Sequence, residues 1–280
     1  MKPFLKWAGN KYAIINRVKA VLPEAKRLIE PFAGSAAVFL NTSYKSAVLN
    51  DINEDLINLY AYLKRDGDRF IDYCRTFFTP ETNQAESYYQ LREWFNQTGD
   101  TRLKSALFLY FNRHGYNGLC RYNAKGGFNV PFGKYAKPYF PFTEMQAFHK
   151  KIQSATLKRQ DFISIMSQAR SGDVIYCDPP YVPLSHTANF TAYSGGGFGL
   201  AEQQALADLA KRLSKRGVHV VISNHNTVFT QTAYKSAQII SFDVRRLISC
   251  KGDGRNQVSE MLALFGNTHW PENRETVLAG

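Results

Sequence analysis

Arg27-Leu28-Ile29-Glu30-Pro31-Phe32-Ala33-Gly34-Ser35 decides the fold of this chain. The first four residues read as a short strand. A proline, a glycine and a serine then interrupt the pattern before an apolar helix predicted over 36–42. Ala47-Val48-Leu49-Asn50 reads as a second strand, so the segment spells strand, helix, strand, the unit of a doubly wound sheet. Gly34, between Phe32 and Ser35, lets the backbone approach a ligand, and the helix start favours a carboxylate. Asp51 stands just past the second strand, where an acid accepts both hydroxyls of a ribose. Ala36 stands where a second glycine is expected, a change tolerable where the backbone keeps φ negative.

The same alternation resumes far down the chain. A helix is predicted over 143–154, a strand over 156–160, a buried strand over 173–177 and a helix over 200–215 ended by Gly217. A strand over 218–223 follows, then a hairpin of 238–244 with 259–265. Between the two halves the pattern is helical at 55–64, 68–77, 85–95 and 101–111, then turns loop-like and rich in Gly and Asn. This parses as one α/β domain made from residues 1–54 and 143–280, with a helical and loop-rich insertion at 55–142.

Charge points to the partner. The net charge is +12, and from Thr101 to Thr143 there is no acid, while Arg102, Lys104, Arg113, Arg121, Lys125, Lys134 and Lys137 fall inside. Either this is a solvated basic face or, with Tyr116, Tyr122, Phe128, Phe132, Tyr135 and Tyr139 interleaved, a surface that binds phosphates and stacks bases. The cysteines lack metal-ligand spacing, so no metal site is expected, and a reducing cytoplasm fits. No apolar stretch is long enough to span a bilayer, and the N-terminus has no secretory pattern.

Asp178-Pro179-Pro180-Tyr181 closes the strand Asp173–Cys177. It reads either as a plain strand-to-loop turn or as a site for methyl transfer to an exocyclic amino nitrogen. That nitrogen donates its lone pair into the base ring. The Asp178 carboxylate and the Pro179 carbonyl, both accepting its hydrogens, return electron density to it. Tyr181 offers a flat face for a base taken out of the duplex. Near the N-terminus, Trp7-Ala8-Gly9-Asn10-Lys11 is either an anchored chain end or a ring and an ammonium over a ligand carboxylate. Asp161-Phe162 likewise reads as an exposed loop acid beside a core ring, or as an acid and a ring against adenine.

Together these residues resemble the DNA adenine-N6 methyltransferases of the Dam family, in the order W-x-G-x-K, F-x-G, recognition insertion, D-P-P-Y. The likeness covers nearly the whole chain and is most specific at Asn112-Arg113-His114-Gly115-Tyr116-Asn117-Gly118-Leu119-Cys120-Arg121-Tyr122-Asn123 and Phe128-Asn129-Val130-Pro131-Phe132-Gly133. It implies a Rossmann-like class I methyltransferase sheet with an antiparallel C-terminal hairpin. It also implies S-adenosylmethionine as methyl donor, held by Trp7, Gly9, Lys11, Phe32, Gly34, Ser35, Asp51, Asp161, Phe162 and Asp178. Asp178, Pro179 and Tyr181 would carry the chemistry on an adenine flipped out of double-stranded GATC.

For DNA, the resemblance assigns Arg121 and Lys6 to guanines, Leu119 and Pro131 to thymine edges, and Tyr116 to the gap left by the flipped base, with Asn117 beside it. Arg92, Lys137, Ser185, Thr187 and Asn189 would hold phosphates. The enzyme would be a cytoplasmic monomer. Its rivals are an RNA adenine or DNA cytosine-N4 methyltransferase, and a silent DNA-binding regulator. Asn10 departs from the family's second glycine, as Ala36 does from its last.

Overall fold

Among the described residues seven strands form one mixed sheet: β1 (Arg27–Glu30), β2 (Ser46–Asn50), β3 (Ala155–Lys158), β4 (Asp173–Cys177), β5 (His219–His225), β6 (Gln238–Arg245) and β7 (Gln257–Phe265). Their order is β3-β2-β1-β4-β5-β7-β6. The β2–β3, β1–β4 and β4–β5 pairs are parallel, and β7 runs antiparallel between β5 and β6. This is the expected α/β architecture, with its C-terminal antiparallel hairpin. The computed structural model describes residues 1–183, 198–245 and 257–266. Ser185, Thr187, Asn189, the glycine run 195–197 and the turn 250–255 lie outside the described residues.

The chain divides into two compact units, Met1–Ile15 with Ala33–Gln160, and Asn16–Phe32 with Asp161–Gly280. In the second unit β4 is buried along its whole length, as a central parallel strand must be. Val174, Ile175, Val220, Val221 and Ile222 have no exposed surface. Arg27 and Asp173, opposite each other at the starts of β1 and β4, form a two-pronged ion pair with Nε–Oδ1 at 3.2 Å and Nη2–Oδ2 at 2.5 Å. β1 and β4 are neighbours separated by more than a hundred residues of chain. Their C-terminal ends therefore mark a topological switch point, the place where open α/β sheets bind ligands.

The first unit is dominated by helices: α3 (Glu54–Asp66), α4 (Asp68–Arg75), α5 (Ala85–Gln97), α6 (Thr101–His114) and α7 (Phe142–Ile152). Asn53 caps α3 through Leu56 N (3.1 Å), and Asp100 caps α6 through Arg102 N and Leu103 N (2.8 and 3.1 Å). From Ser105 to His114, α6 is buried on every face. Its Tyr110 and Phe111 pack with Tyr88, Phe95 and Phe128, tilted in Tyr88–Tyr110, edge to face in Phe95–Phe128 and stacked in Phe111–Phe128, with centroids 5.1–5.9 Å apart. The Gly- and Asn-rich stretch is a loop fastened to this core by the bridges Gly115–Phe132 and Tyr122–Phe128.

Three short helices escaped the periodicity: Ile15–Val21, Phe162–Ser167 and Val228–Ala233. Runs of six or seven residues give the 3.6-residue period too few repeats to register. The last two begin at Asp161 and Thr227, side chains that accept from the helix's own backbone.

One expectation is corrected. The helix after β1 starts at Ala37, because Ala36 adopts φ 54 and ψ 34 in the left-handed region. Turning from strand into helix here takes positive φ at both Gly34 (φ 47) and Ala36. The alanine costs about 1–2 kcal/mol of strain. Ala36 is fully buried, and its methyl recovers about 0.8 kcal/mol of that. Asn10 keeps φ −57, and its carboxamide accepts from Tyr12 N (3.1 Å) and donates to Trp7 O (3.1 Å), capping the 3-10 turn Lys11–Ile14.

Candidate active site and nucleic-acid interface

Asp178-Pro179-Pro180-Tyr181 follows β4 directly, at the switch point. Its backbone is clamped from three sides. Gln203 Nε2 donates to Pro180 O at 2.6 Å, Val182 N donates to Asn224 Oδ1 at 3.1 Å, and His225 Nδ1 lies 2.7 Å from Val182 O. Asn224 and Gln203 are themselves joined at 2.9 Å, and Asn224 also bonds the Tyr234 hydroxyl at 3.0 Å. Among the described residues nothing donates to the Pro179 carbonyl, which is left as an acceptor next to the half-buried Asp178 carboxylate.

The Tyr181 ring packs edge-on against His225 with centroids 4.8 Å apart, and its hydroxyl lies 3.4 Å from Glu260 Oε2. Burial, then the Asp178 carboxylate, push the Tyr181 phenol well above its ordinary pKa, so it stays protonated. Burial and Asp178 act on the Cys177 thiol in the same direction. Cys177 has no exposed surface, so it offers no thiolate nucleophile.

Also in the second unit, Phe32, Phe162 and Phe198 form a triangle with centroids 5.4–5.7 Å apart. Asp161, just before Phe162, serves as a helix cap: Oδ1 accepts from Ser164 N (2.9 Å) and Oδ2 from Ser164 Oγ (2.5 Å). These bonds hold its pKa below the usual carboxylate value. The Asp161 carboxylate thus has a structural duty that the sequence reading did not give it.

In the first unit the glycine turn and the acid are joined. Asp51 Oδ2 accepts from Gly34 N and Oδ1 from Asn53 N, both at 3.0 Å. Burial raises the Asp51 pKa, and these backbone donors pull it back. A Cβ on Gly34 would stand 2.7 Å from Trp7 Nε1, so only glycine lets the indole lie over this turn. Gly34→Ala is expected to cost about 1–2 kcal/mol from its positive φ alone. Urea denaturation reads this directly, and an unchanged midpoint would mean that turn and indole both relax freely. Lys11 is buried and donates to Gly9 O; Ser35 is buried beside the turn. Ile52, which sequence reasoning passed over, follows the acid and is 70% exposed. Its only sequence signal was its position after Asp51.

The recognition stretch lies wholly in the first unit. Asn112, at the end of α6, clasps Lys6 through both backbone groups (Lys6 N to Oδ1, 2.9 Å; Nδ2 to Lys6 O, 2.6 Å). Gly118 has φ 64, and a Cβ there would meet Lys6 Cβ and Cδ at 2.6 Å. The Lys6 ammonium sits 4.4 Å over the Tyr135 ring, and burial followed by Arg113 lowers its pKa. Asn117, at φ 53, donates its N–H to the Tyr135 hydroxyl (3.0 Å). Tyr116 is 51% exposed, Arg121, Pro131 and Lys137 are exposed, and Leu119 is half-buried. Arg121 is tethered to Asn129 by Nε–Oδ1 at 2.8 Å and Nη2–O at 3.2 Å. Arg92 bonds Val130 O at 3.0 Å, so its guanidinium braces the loop from behind.

His114, inside the same motif, is 1% exposed and stacks on Tyr110 at 4.0 Å. Burial lowers its pKa to about 4. Its folded value lies below the unfolded one of about 6.5, so the native state refuses a proton that the unfolded chain accepts. The resulting stability is intact above pH 6.5 and lost as pH falls toward 4, by about 2–3 kcal/mol. His219, also lowered by burial, adds in the same direction. His114→Asn is expected to flatten the acid limb of a denaturation-midpoint-versus-pH curve. An unchanged limb would assign the loss to other groups.

A model of the D12 class N6 adenine-specific DNA methyltransferases matches residues 7–248. The DNA adenine methylase of Vibrio cholerae is 51% identical over 265 residues, covering 94% of this chain and 96% of its own. That of Escherichia coli is 49% identical over 264 residues (94% and 95%), and that of Serratia marcescens 49% over 265 (94% and 98%). The chain is therefore a DNA methyltransferase acting on adenine, a class that its sheet order fits. Within that class it belongs to the Dam family.

Proposed function

We propose that this enzyme transfers a methyl group from S-adenosylmethionine to adenine N6 in double-stranded GATC, after the base has rotated out of the duplex. The observation that carries the reading is the pair of acceptors at the end of β4. The backbone groups of Pro180 and Val182 are engaged by Gln203, Asn224 and His225, while among the described residues the Pro179 carbonyl beside Asp178 takes no donor. Two fixed acceptors suit an NH2 group, which has two hydrogens to give. Together they hold the amino group so that its lone pair leaves the ring.

When bound, S-adenosylmethionine supplies a methyl group activated by a sulfonium. The residues of this chain fit such a donor. Asp51 matches ribose hydroxyls, the rings of Phe32 and Phe162 match a purine face, and the Gly34 turn has no room for a Cβ. Trp7, Gly9, Lys11, Ser35, Asp161 and Asp178 complete the proposed set, Lys11 toward a carboxylate. The donor would give its methyl to the nitrogen whose lone pair Asp178 and Pro179 have freed, and would leave as S-adenosylhomocysteine. N6 then carries the positive charge and sheds a proton, so Asp178 orients and accepts without being a strong base. The protonated Tyr181 gives a neutral face for the base to stack on.

Residues 55–142 are the proposed target-recognition region, with Arg121 and Lys6 on guanines, Leu119 and Pro131 on thymine edges, Tyr116 in the vacated stack and Asn117 beside it. Arg92 and Lys137 would hold phosphates, as would Ser185, Thr187 and Asn189. We assign the enzyme to the cytoplasm as a monomer. The test is transfer of labelled methyl from S-adenosylmethionine to a GATC duplex and to one with those bases scrambled. Label confined to GATC as N6-methyladenine is the expected result. Label in both would remove the GATC assignment, and label in neither would remove the donor assignment.

A further inference from the structure

We propose that the first turn of α3 couples the methyl-donor acid to the base-reading arginine, with Asn53 and Asp55 as positioning residues. The inference rests on the roles proposed above for Asp51 and Arg121. Asn53 is engaged on both sides. Its backbone N–H donates to Asp51 Oδ1 at 3.0 Å, and its carboxamide Nδ2 donates to Cys120 Sγ at 3.4 Å, while Oδ1 caps the helix through Leu56 N. Two residues on, Asp55 is 7% exposed and accepts from the Tyr122 hydroxyl at 2.6 Å, with Lys104 Nζ 3.4 Å from its other oxygen.

Cys120 and Tyr122 flank Arg121. The arginine itself is exposed, but both of its neighbours are pinned to one helical turn, and that turn begins at the residue that holds Asp51. A rotation of Asp51 on meeting a ribose moves Asn53 through its N–H, and the Asn53 carboxamide passes that to Cys120. The reverse holds by necessity: whatever seats Arg121 on its base biases Asp51 equally.

The link is unlike an ordinary loop tether in two respects. It is half-buried, with Asp55 alone fully covered, so its bonds are only partly shared with water. It is also fixed in protonation. Burial lifts the Cys120 thiol to about 12, and burial with the neighbouring Cys120 and Asp55 holds the Tyr122 phenol far above its usual range. Both stay protonated at any physiological pH, so the path is not gated by titration.

The experiment measures a coupling ratio. S-Adenosylhomocysteine, which cannot react, is titrated into full-length enzyme saturated with GATC duplex and into enzyme saturated with the scrambled duplex. The wild-type protein is expected to bind it at least about fivefold more tightly with GATC. Cys120→Ala and Tyr122→Phe should each bring that ratio to within about twofold of one. Melting temperature and affinity in the absence of DNA should change little, which a merely structural role would not produce. Cys120→Ser, whose hydroxyl can still accept from Asn53, should restore part of the ratio. Asn53→Ser keeps the helix cap but cannot reach Cys120, and it serves should another variant not fold.

An unchanged ratio in the variants overturns the proposal. So does a wild-type ratio of one, which leaves the functional reading standing because both ligands still bind. Failure to bind the analogue, or to prefer GATC, removes that reading and the coupling with it.

Discussion

Asp178→Ala is expected to lower kcat for methyl transfer by on the order of a thousandfold, with duplex affinity nearly unchanged. The carboxylate sits where β4 ends, beside a Pro179 carbonyl that takes no donor among the described residues, so its loss removes one of the two acceptors proposed for the amino group. What remains is a carbonyl that can hold one hydrogen but cannot fix the plane of the NH2. Asp178→Asn is the sharper test, because size and burial hardly change while one acceptor oxygen becomes a donor facing another donor. Steady-state methyl transfer with DNA binding followed in parallel separates the two effects. Turnover within about tenfold of wild type in either variant would remove Asp178 from the chemistry and shift attention to the strand-end carbonyls.

The sheet was legible because its strands read as short apolar runs, β1 stopped by Pro31 and β4 by Asp178-Pro179. The chemistry was legible because it is linear in sequence: a strand, then Asp178-Pro179-Pro180-Tyr181. What holds that turn was not. Gln203, Asn224 and His225 come from a helix and a strand well downstream, and a glutamine in an amphipathic helix carries no sign that its amide will meet Pro180 O. Asp161 shows a different failure. An acid at the start of a six-residue helix gives no sign that it caps one when the helix is too short to register. Ala36 shows a third, since the left-handed conformation belongs to the turn that the chain must make. Only its neighbour Gly34 announced it.

Arg121→Ala should lower kcat/KM on GATC by about ten- to a hundredfold while barely changing it on a duplex in which the contacted guanine is replaced. Preorganisation of the side chain sets the size of this loss. Arg121 is exposed, yet Nε and Nη2 are already bonded to Asn129, and Asn129 N returns a bond to Arg121 O at 3.1 Å. A free arginine loses rotamer entropy on binding a base; this one has lost much of it beforehand. The guanidinium keeps N–H groups to spare for the O6 and N7 acceptors of guanine. Arg121→Lys should not rescue, because an ammonium can neither hold Asn129 in this way nor present a fork. Asn129→Ala should cost less than Arg121→Ala and in the same sense, loosening the fork without deleting it. Lys137→Ala is the contrasting control: an exposed lysine on a phosphate should weaken all duplexes alike and reduce the salt dependence of binding. Equal losses for Arg121→Ala on matched and changed duplexes would place Arg121 on the backbone with Lys137 and leave the guanine to another side chain. The first to examine would be Lys6, whose ammonium the fold already holds over Tyr135.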